Sequence, residues 1–392
     1  MKAQSPRTTI LLLAIAQSLY SCAVITVFAT AGLVGLMIAP SKGFSTFGVT
    51  SFVVGSMLAV VPASLLMKRY GRTPVFAGGA IISIIGALVS VWGIYQNSFF
   101  MFCLGTALQG VLQATSSFYS FAAAEAAGPE DKSIAISWVL TGGVVAAVAG
   151  TVIASQTTNL LAPYTFAGCY AAVVIFAVLS LLVFSALHLP KPTAAEIAGP
   201  QRSWPELVQQ PKLVIAMTSA VFAYALMNLM MTAAPVAMAD CGFGAGASSW
   251  VIQWHVLAMF VPSFFTGVLI KRYGVDLITG LGMAILITAG IAALLGITFA
   301  HFSVALILLG LGWNFAFIGG TTMLTTTYQP SERAKVQAVN NFGVSIMVAI
   351  ASAGSGQMLS HFGWASVALT VMPIAALMLV AVMLRSRVAV TP

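Results

Sequence analysis

Twelve stretches of this chain stay mainly apolar for about twenty residues or more, the length a helix needs to cross the hydrocarbon core of a bilayer. They cover roughly 9–38, 44–67, 74–95, 99–126, 133–156, 164–188, 213–238, 248–270, 277–298, 302–328, 335–359 and 364–384. Strands of a membrane barrel would alternate in segments of about ten residues, and these runs do not. The expected fold is all-α and integral to the membrane. Composition agrees, since 60% of the 392 residues are apolar and 6% charged, where a soluble domain carries roughly a quarter charged residues.

Basic residues near span ends stay on the cytoplasmic side, which orients the chain. With both termini inside, the cytoplasmic segments hold Lys2, Arg7, Lys68, Arg69, Arg72, Lys132, Lys191, Arg202, Lys212, Lys271, Arg272, Arg333, Lys335, Arg385 and Arg387, and only Lys42 lies outside. One missed span would scramble this sorting. It also explains the formal charge of +8 without a nucleic-acid partner. The first span is about twice the length of a signal-peptide core and lacks a clear cleavage site, so it is expected to be retained. Cys22, Cys103, Cys169 and Cys241 show no paired spacing, so neither a disulfide framework nor a metal site is expected. The absence of any Asn-x-Ser/Thr sequon fits a bacterial inner membrane.

The tetrapeptide Lys-Arg-Tyr-Gly occurs at 68–71 and again at 271–274, after the second and the eighth span. A second echo joins spans four and five ("GPEDKSIAIS", 128–137) and spans ten and eleven ("QPSERAKVQA", 329–338). The chain therefore reads as two six-span halves, 1–189 and 213–392, joined by a cytoplasmic linker, 190–212, that holds five prolines. Each basic turn must reverse the chain within about six residues. Gly71 and Gly274 permit backbone angles that side chains resist. The cations beside them can meet headgroups or the acids Glu125, Glu130, Asp131, Asp276 and Glu332.

Two six-span halves, a polar linker and a basic glycine-containing turn repeated in each half resemble the major facilitator superfamily over essentially the whole chain. The family turn reads Gly-x-x-x-Asp-Arg-x-Gly-Arg-Arg/Lys. Arg69, Gly71 and Arg72 match it in the first copy, and Gly267, Arg272 and Gly274 in the second. Lys68 and Lys271 stand where the family has Asp, and Ser64 replaces the first glycine. The resemblance implies that spans one, four, seven and ten line a central cavity while three, six, nine and twelve face lipid. It also implies a gating role for Lys68, Arg69, Gly71, Arg72, Lys271, Arg272 and Gly274 with Glu332 and Arg333. A plain topological anchor is the equal alternative for these turns.

Of the eight acids only Glu125 falls within a span, at its cytoplasmic end, and no Lys or Arg occupies a span centre. A cavity for an anion usually supplies cations, because an unpaired charge taken out of water costs several kcal/mol. The spans offer neutral groups instead. Gln109, Gln113, Ser116 and Ser120 share one face of the fourth span, and the tenth carries Trp313, Asn314, Thr321, Thr325 and Tyr328. The seventh has Tyr224, Asn228 and Met231, the first Cys22 and Thr26, and the eleventh Gln337, Asn341 and Ser345. We take Gln109, Gln113, Tyr224, Asn228, Trp313, Asn314, Thr321 and Thr26 as candidate substrate contacts. Hydrogen bonds between helices are the alternative role for each. His255, in the unusual intramembrane triplet Gln-Trp-His, is the candidate proton carrier, with Glu125 second. Many drug:proton antiporters of the family have an Arg where this chain has Thr106, and Gly-Pro where it has Gly150-Thr151.

These features predict a secondary transporter working by alternating access. There is no Gly-x-x-x-x-Gly-Lys-Ser/Thr loop for ATP. The expected cargo is a small neutral or amphipathic organic molecule, exported in the leading reading and imported as a nutrient or vitamin in the second. A membrane-embedded enzyme or a sensor is the remote third class. His188, His255, His301 and His361 are too scattered to suggest a catalytic cluster. The protein is expected to act as a monomer in the lipid bilayer, without cofactor, and to use protons where transport is coupled.

Overall fold

The computed structural model describes residues 4–40, 44, 47–190 and 199–388. Lys2, Lys42, Lys191 and Glu196 lie outside the described residues, as does the side chain of Arg387. Among the described residues twelve helices are long and apolar enough to span a membrane: α1 (Pro6–Gly35), α2 (Phe47–Tyr70), α3 (Arg72–Tyr95), α4 (Phe99–Ala127), α5 (Lys132–Thr157), α6 (Ala167–Ala186), α7 (Pro211–Met238), α8 (Trp250–Tyr273), α9 (Val275–Leu294), α10 (Phe299–Leu324), α11 (Pro330–Ser352) and α12 (His361–Arg385). A one-turn helix, Trp204–Val208, precedes α7, and its Ser203 and Glu206 form a capping box.

Local chemistry sets where these helices begin and end. Ser5, Ser98 and Thr298 each accept a backbone N–H of the first turn of α1, α4 and α10 through the side-chain hydroxyl. At the other end of α10, Thr325, Thr326 and Thr327 turn their hydroxyls back onto the carbonyls of Thr322, Met323 and Leu324 at 2.7, 2.7 and 2.8 Å. The basic turns are tighter than the sequence suggests. Gly71, at φ 89°, alone separates α2 from α3, and Gly274, at φ 91°, alone separates α8 from α9. Any residue with a Cβ would be strained at that angle.

The spans gather into two compact units. In the first, α4 packs against α2 and α3, and α6 against α1 and α3. In the second, α10 packs against α7, α8 and α9, so α10 takes the place that α4 holds in the first. These units differ from a simple cut at the linker, because residues 128–138 belong with the second unit and 333–345 with the first. Hydrogen bonds explain the exchange. Ser64 on α2 donates to the carbonyl of Ala334 at 2.7 Å, and Ser133 on α5 donates to the carbonyl of Gly267 on α8 at 2.9 Å. Ser64 and Gly267 occupy matching places in the two copies, as do Ala334 and Ser133. The same contact is thus made twice with donor and acceptor reversed. A Cβ at Gly267 would lie 2.6 Å from the Ser133 carbonyl oxygen, which keeps that position for glycine.

The topology has a direct check in the native thiols. Cys241, exposed in the turn after α7, belongs to a segment expected outside, whereas Cys22 and Cys169 are buried. A small membrane-impermeant thiol reagent applied to intact cells should label Cys241. It should not reach a cysteine substituted for Glu206 in a variant lacking Cys241. The reverse pattern would invert the orientation.

Candidate functional site

Charged side chains pair at the basic ends of the spans. In the first unit Arg72, at the start of α3, donates to Glu125 at the end of α4 at 2.7 Å, to the Phe118 carbonyl at 3.1 Å and to Gln337 Oε1 at 2.9 Å. Arg333 reaches the other oxygen of Glu125 at 3.0 Å, and Gln337 Nε2 donates to Glu125 at 3.2 Å. The carboxylate of Glu125 is therefore held by two guanidinium groups and an amide. Nearby, Asn341 donates to Ser117 Oγ at 2.9 Å, across the turn that interrupts α4.

The second unit pairs differently. Lys271 meets Asp131 at 2.6 Å, both about half exposed, and Arg385 pairs with Asp276. Glu332, with its side chain fully enclosed, accepts from Arg202 at 2.7 and 2.6 Å in a bidentate pair. It also accepts the backbone N–H groups of Arg202 and Gln329, both at 2.9 Å. Such charge-assisted, two-pronged bonds are the strong members of their class. Lys271 thus turns its family position into a cation paired with an acid. Lys68 is half-buried and has no acidic partner among the described residues. Arg69 and Arg272 lie over the rings of Tyr70 and Tyr273 at 5.2 and 5.3 Å. The roles of Arg202, Arg385 and Gln337 were not singled out by the sequence. The Ser-x-x-Glu capping pattern after Arg202 was the available hint that this part of the linker is ordered.

The polar residues inside the spans divide by whether they find partners. Asn314 is fully buried and wholly engaged: its Nδ2 donates to the Met259 carbonyl at 2.7 Å and to Ser263 Oγ at 2.6 Å, and its Oδ1 accepts from Thr266 at 2.6 Å. Those partners flank Pro262, where α8 is interrupted. Proline has no N–H to give the helix, and Asn314 from α10 bridges the break. Gln109 donates to Ser90 on α3 at 2.9 Å, Asn228 to Ser352 at 2.6 Å, and Thr26 to its own helix at Cys22 at 2.9 Å. Gln113 is half-buried, and its Oε1, like that of the buried Gln109, has no partner among the described residues. Trp313 Nε1 and Thr321 Oγ1 are likewise unpartnered, although both side chains are buried.

His255 is fully buried between α8 and α10, with Nδ1 2.7 Å from the Leu306 carbonyl. A carbonyl can only accept, so the proton sits on Nδ1 and Nε2 is the lone-pair nitrogen. That Nε2 has no partner among the described residues. Tyr224 on α7 meets Trp313 and Phe317 of α10 edge-on, each at 5.4 Å between centroids. Phe317 lies one turn beyond Trp313, a spacing the sequence analysis passed over. No group of three or more His, Cys, Asp or Glu side chains among the described residues is placed to hold a metal ion.

The pattern that defines the Major Facilitator Superfamily matches residues 10–224 and 215–391. The chain is 39% identical over 387 residues to the riboflavin transporter RfnT of Brucella anthropi, covering 98% of this chain and 97% of that protein. Among solved structures it resembles the human organic anion transporter TETRAN at 12% identity and a TM-score of 0.77, covering 97% of this chain and all of that one. It also resembles the E. coli fucose:proton symporter at 15% identity and a TM-score of 0.73, covering 99% of this chain and all of the symporter. At such identities the structures speak for the fold alone.

Replacing Glu125 with Gln keeps its size but removes the carboxylate that faces the buried Arg72 and the partly exposed Arg333. Unsatisfied buried partners of this kind cost roughly 1–3 kcal/mol. Thermal unfolding of the purified Glu125→Gln variant should show a lowered midpoint. Asp131→Asn, whose partner Lys271 is open to solvent, should melt like the parent. Equal midpoints for the two variants would contradict the pairing described here.

Proposed function

The chain belongs to the Major Facilitator Superfamily of transporters, and we propose that its cargo is riboflavin or a similar neutral flat heterocycle, taken up by alternating access. The observation that carries this reading is the near full-length match to a riboflavin transporter, 39% identical with 98% of this chain covered. It favours the vitamin alternative over export of drugs or metabolites. Thr106, buried and bonded to its own helix at Cys103, stands where many drug:proton antiporters carry Arg, which is further support.

The membrane interior suits such a cargo. Among the described residues every Lys and Arg within a span lies near a span end, so the interior presents amides, hydroxyls and aromatic rings. Riboflavin carries no charge at neutral pH and can be held by those groups. Its phosphate ester is an anion that would have to shed water without a cation to replace it, at a cost of several kcal/mol. His255 is the group we assign to proton coupling, because its free Nε2 is a buried base that a proton could occupy. The basic turns and their acid partners are the gates in this reading, with both termini and the linker on the cytoplasmic side of a bacterial inner membrane.

A bacterium unable to make riboflavin and lacking its own carrier tests the reading. Expression of this chain should restore growth on low micromolar riboflavin and accumulate labelled riboflavin. Flavin mononucleotide at the same concentration, in cells unable to dephosphorylate it outside, should not support growth. Failure with riboflavin would sink the cargo assignment. Equal growth on both would show that the site tolerates a phosphate.

A further inference from the structure

The cations of the second unit are unevenly paired. Arg202 is balanced by Glu332 and Lys271 by Asp131, and Glu130 also acts on Lys271. Three others gather around the last turn of α10. Lys132, the first residue of α5, donates to the Thr325 carbonyl at 3.1 Å. Arg385, the last residue of α12, pairs with Asp276 and reaches Met323 Sδ at 3.3 Å. Lys212, at the start of α7, lies beside the same helix end. The two helices run antiparallel, and a Cβ at Gly320 on α10 would lie 3.1 Å from the carbonyl oxygen of Ala216, one turn past Lys212. Arg385, Asp276 and Lys132 are the charges that act on Lys212. It is half-buried, with no hydrogen-bond or ion-pair partner among the described residues.

These cations exceed the negative charge around them. The carbonyl end of α10 carries about half a charge and Asp276 one more, so about one and a half positive charges are left over. Lys132 and Lys212 also stand in the first turns of their own helices, the ends at which the dipole disfavours a cation. Sorting of basic residues to one side of the membrane accounts for lysines at this face. It does not account for a half-buried lysine set beside two further cations without an acid of its own. An anion at that point offsets both the repulsion and the lost hydration.

We propose that Lys132, Lys212 and Arg385 form a site for the phosphate of an anionic phospholipid headgroup. The starts of α5, α7 and α9 and the end of α12 lie at one face of the membrane, at the level of the headgroups. Helices α9 and α12 are neighbours, since a Cβ at Gly280 would lie 3.4 Å from Leu379. Exposed apolar side chains continue from the cations along both: Leu277 and Leu281 on α9, and Leu384, Val380 and Leu377 on α12. Steps of three and four keep each set on one face of its helix. A phosphate held by the cations has its acyl chains against these stripes, a fit that free phosphate lacks. Basic pockets at the cytoplasmic ends of spans take such headgroups. The inference is independent of the cargo.

Native mass spectrometry of the purified full-length protein, released from nanodiscs of phosphatidylglycerol and phosphatidylcholine in equal parts, tests the site. The parent should keep one phosphatidylglycerol at collision energies that strip phosphatidylcholine. Lys212→Gln leaves the Thr325 and Asp276 contacts in place and should hold that lipid about fivefold more weakly, the worth of one lysine near an anionic headgroup. Lys212→Arg keeps the charge and should hold it like the parent. So should Arg7→Gln, which removes an exposed cation from the first unit. In lipid-free detergent Lys212→Gln should melt no lower than the parent, because its loss relieves repulsion. A lower midpoint there would mark Lys212 as a packing residue and overturn the proposal. Equal retention of the two lipids by the parent, or equal loss in Arg7→Gln and Lys212→Gln, would overturn it as well. Displacement of the bound lipid by excess inorganic phosphate would assign the site to a soluble anion instead and contradict the lipid.

Discussion

A hydrocarbon interior offers no water to hydrogen-bond, so every polar group carried into it must find a partner within the protein. That constraint organises this structure at each level. It makes the backbone helical, turns three threonines back onto the last carbonyls of α10, and brings Asn314 to the break that Pro262 makes in α8. Such helix-to-helix bonds are worth only about 0.6 kcal/mol on average in membrane proteins. They matter because leaving the groups unpaired costs more. Among the described residues eleven buried polar side-chain atoms have no partner, and those of Gln109, Gln113, His255, Trp313 and Thr321 belong to candidate site residues. We read those gaps as the positions held open for cargo and protons.

The duplication shows how two copies of one plan diverge under that rule. Both keep the glycine turn and a serine-to-carbonyl bond at the same place, but the serine sits on α2 in one copy and on α5 in the other. The ion pairs diverge further. One copy gathers Arg72, Arg333 and Gln337 on a single carboxylate. The other spreads its charges over Lys271–Asp131 and Arg385–Asp276. The pair between Arg202 and the enclosed Glu332 ties the end of the linker to the start of α11.

The twelve spans and the repeat were readable because length and polarity are properties of one segment at a time. The partners of polar residues were not, because periodicity identifies a helical face without saying what the face meets. Gln109, Gln113 and Asn314 share a stripe pattern, yet Asn314 is wholly engaged by the interrupted α8, Gln109 donates to Ser90 but keeps an unpartnered oxygen, and so does Gln113. Of the five acids expected to meet the basic turns, Glu125 and Asp131 pair with Arg72 and Lys271, whereas Glu332 and Asp276 pair with Arg202 and Arg385, outside those turns. Asp276 answers Arg385, more than a hundred positions away. Phe317 was missed since an aromatic residue in an apolar span carries no signal until Trp313 and Tyr224 are seen beside it.

The central claim is that a membrane interior without charge, furnished with unpaired amide, indole and hydroxyl groups, moves a neutral flat vitamin. Counterflow in proteoliposomes addresses it most directly, since exchange needs no gradient and no knowledge of the coupling ion. Vesicles preloaded with unlabelled riboflavin should draw in labelled riboflavin transiently above equilibrium, and vesicles without protein should not. Labelled riboflavin entering both at the same rate would contradict the account.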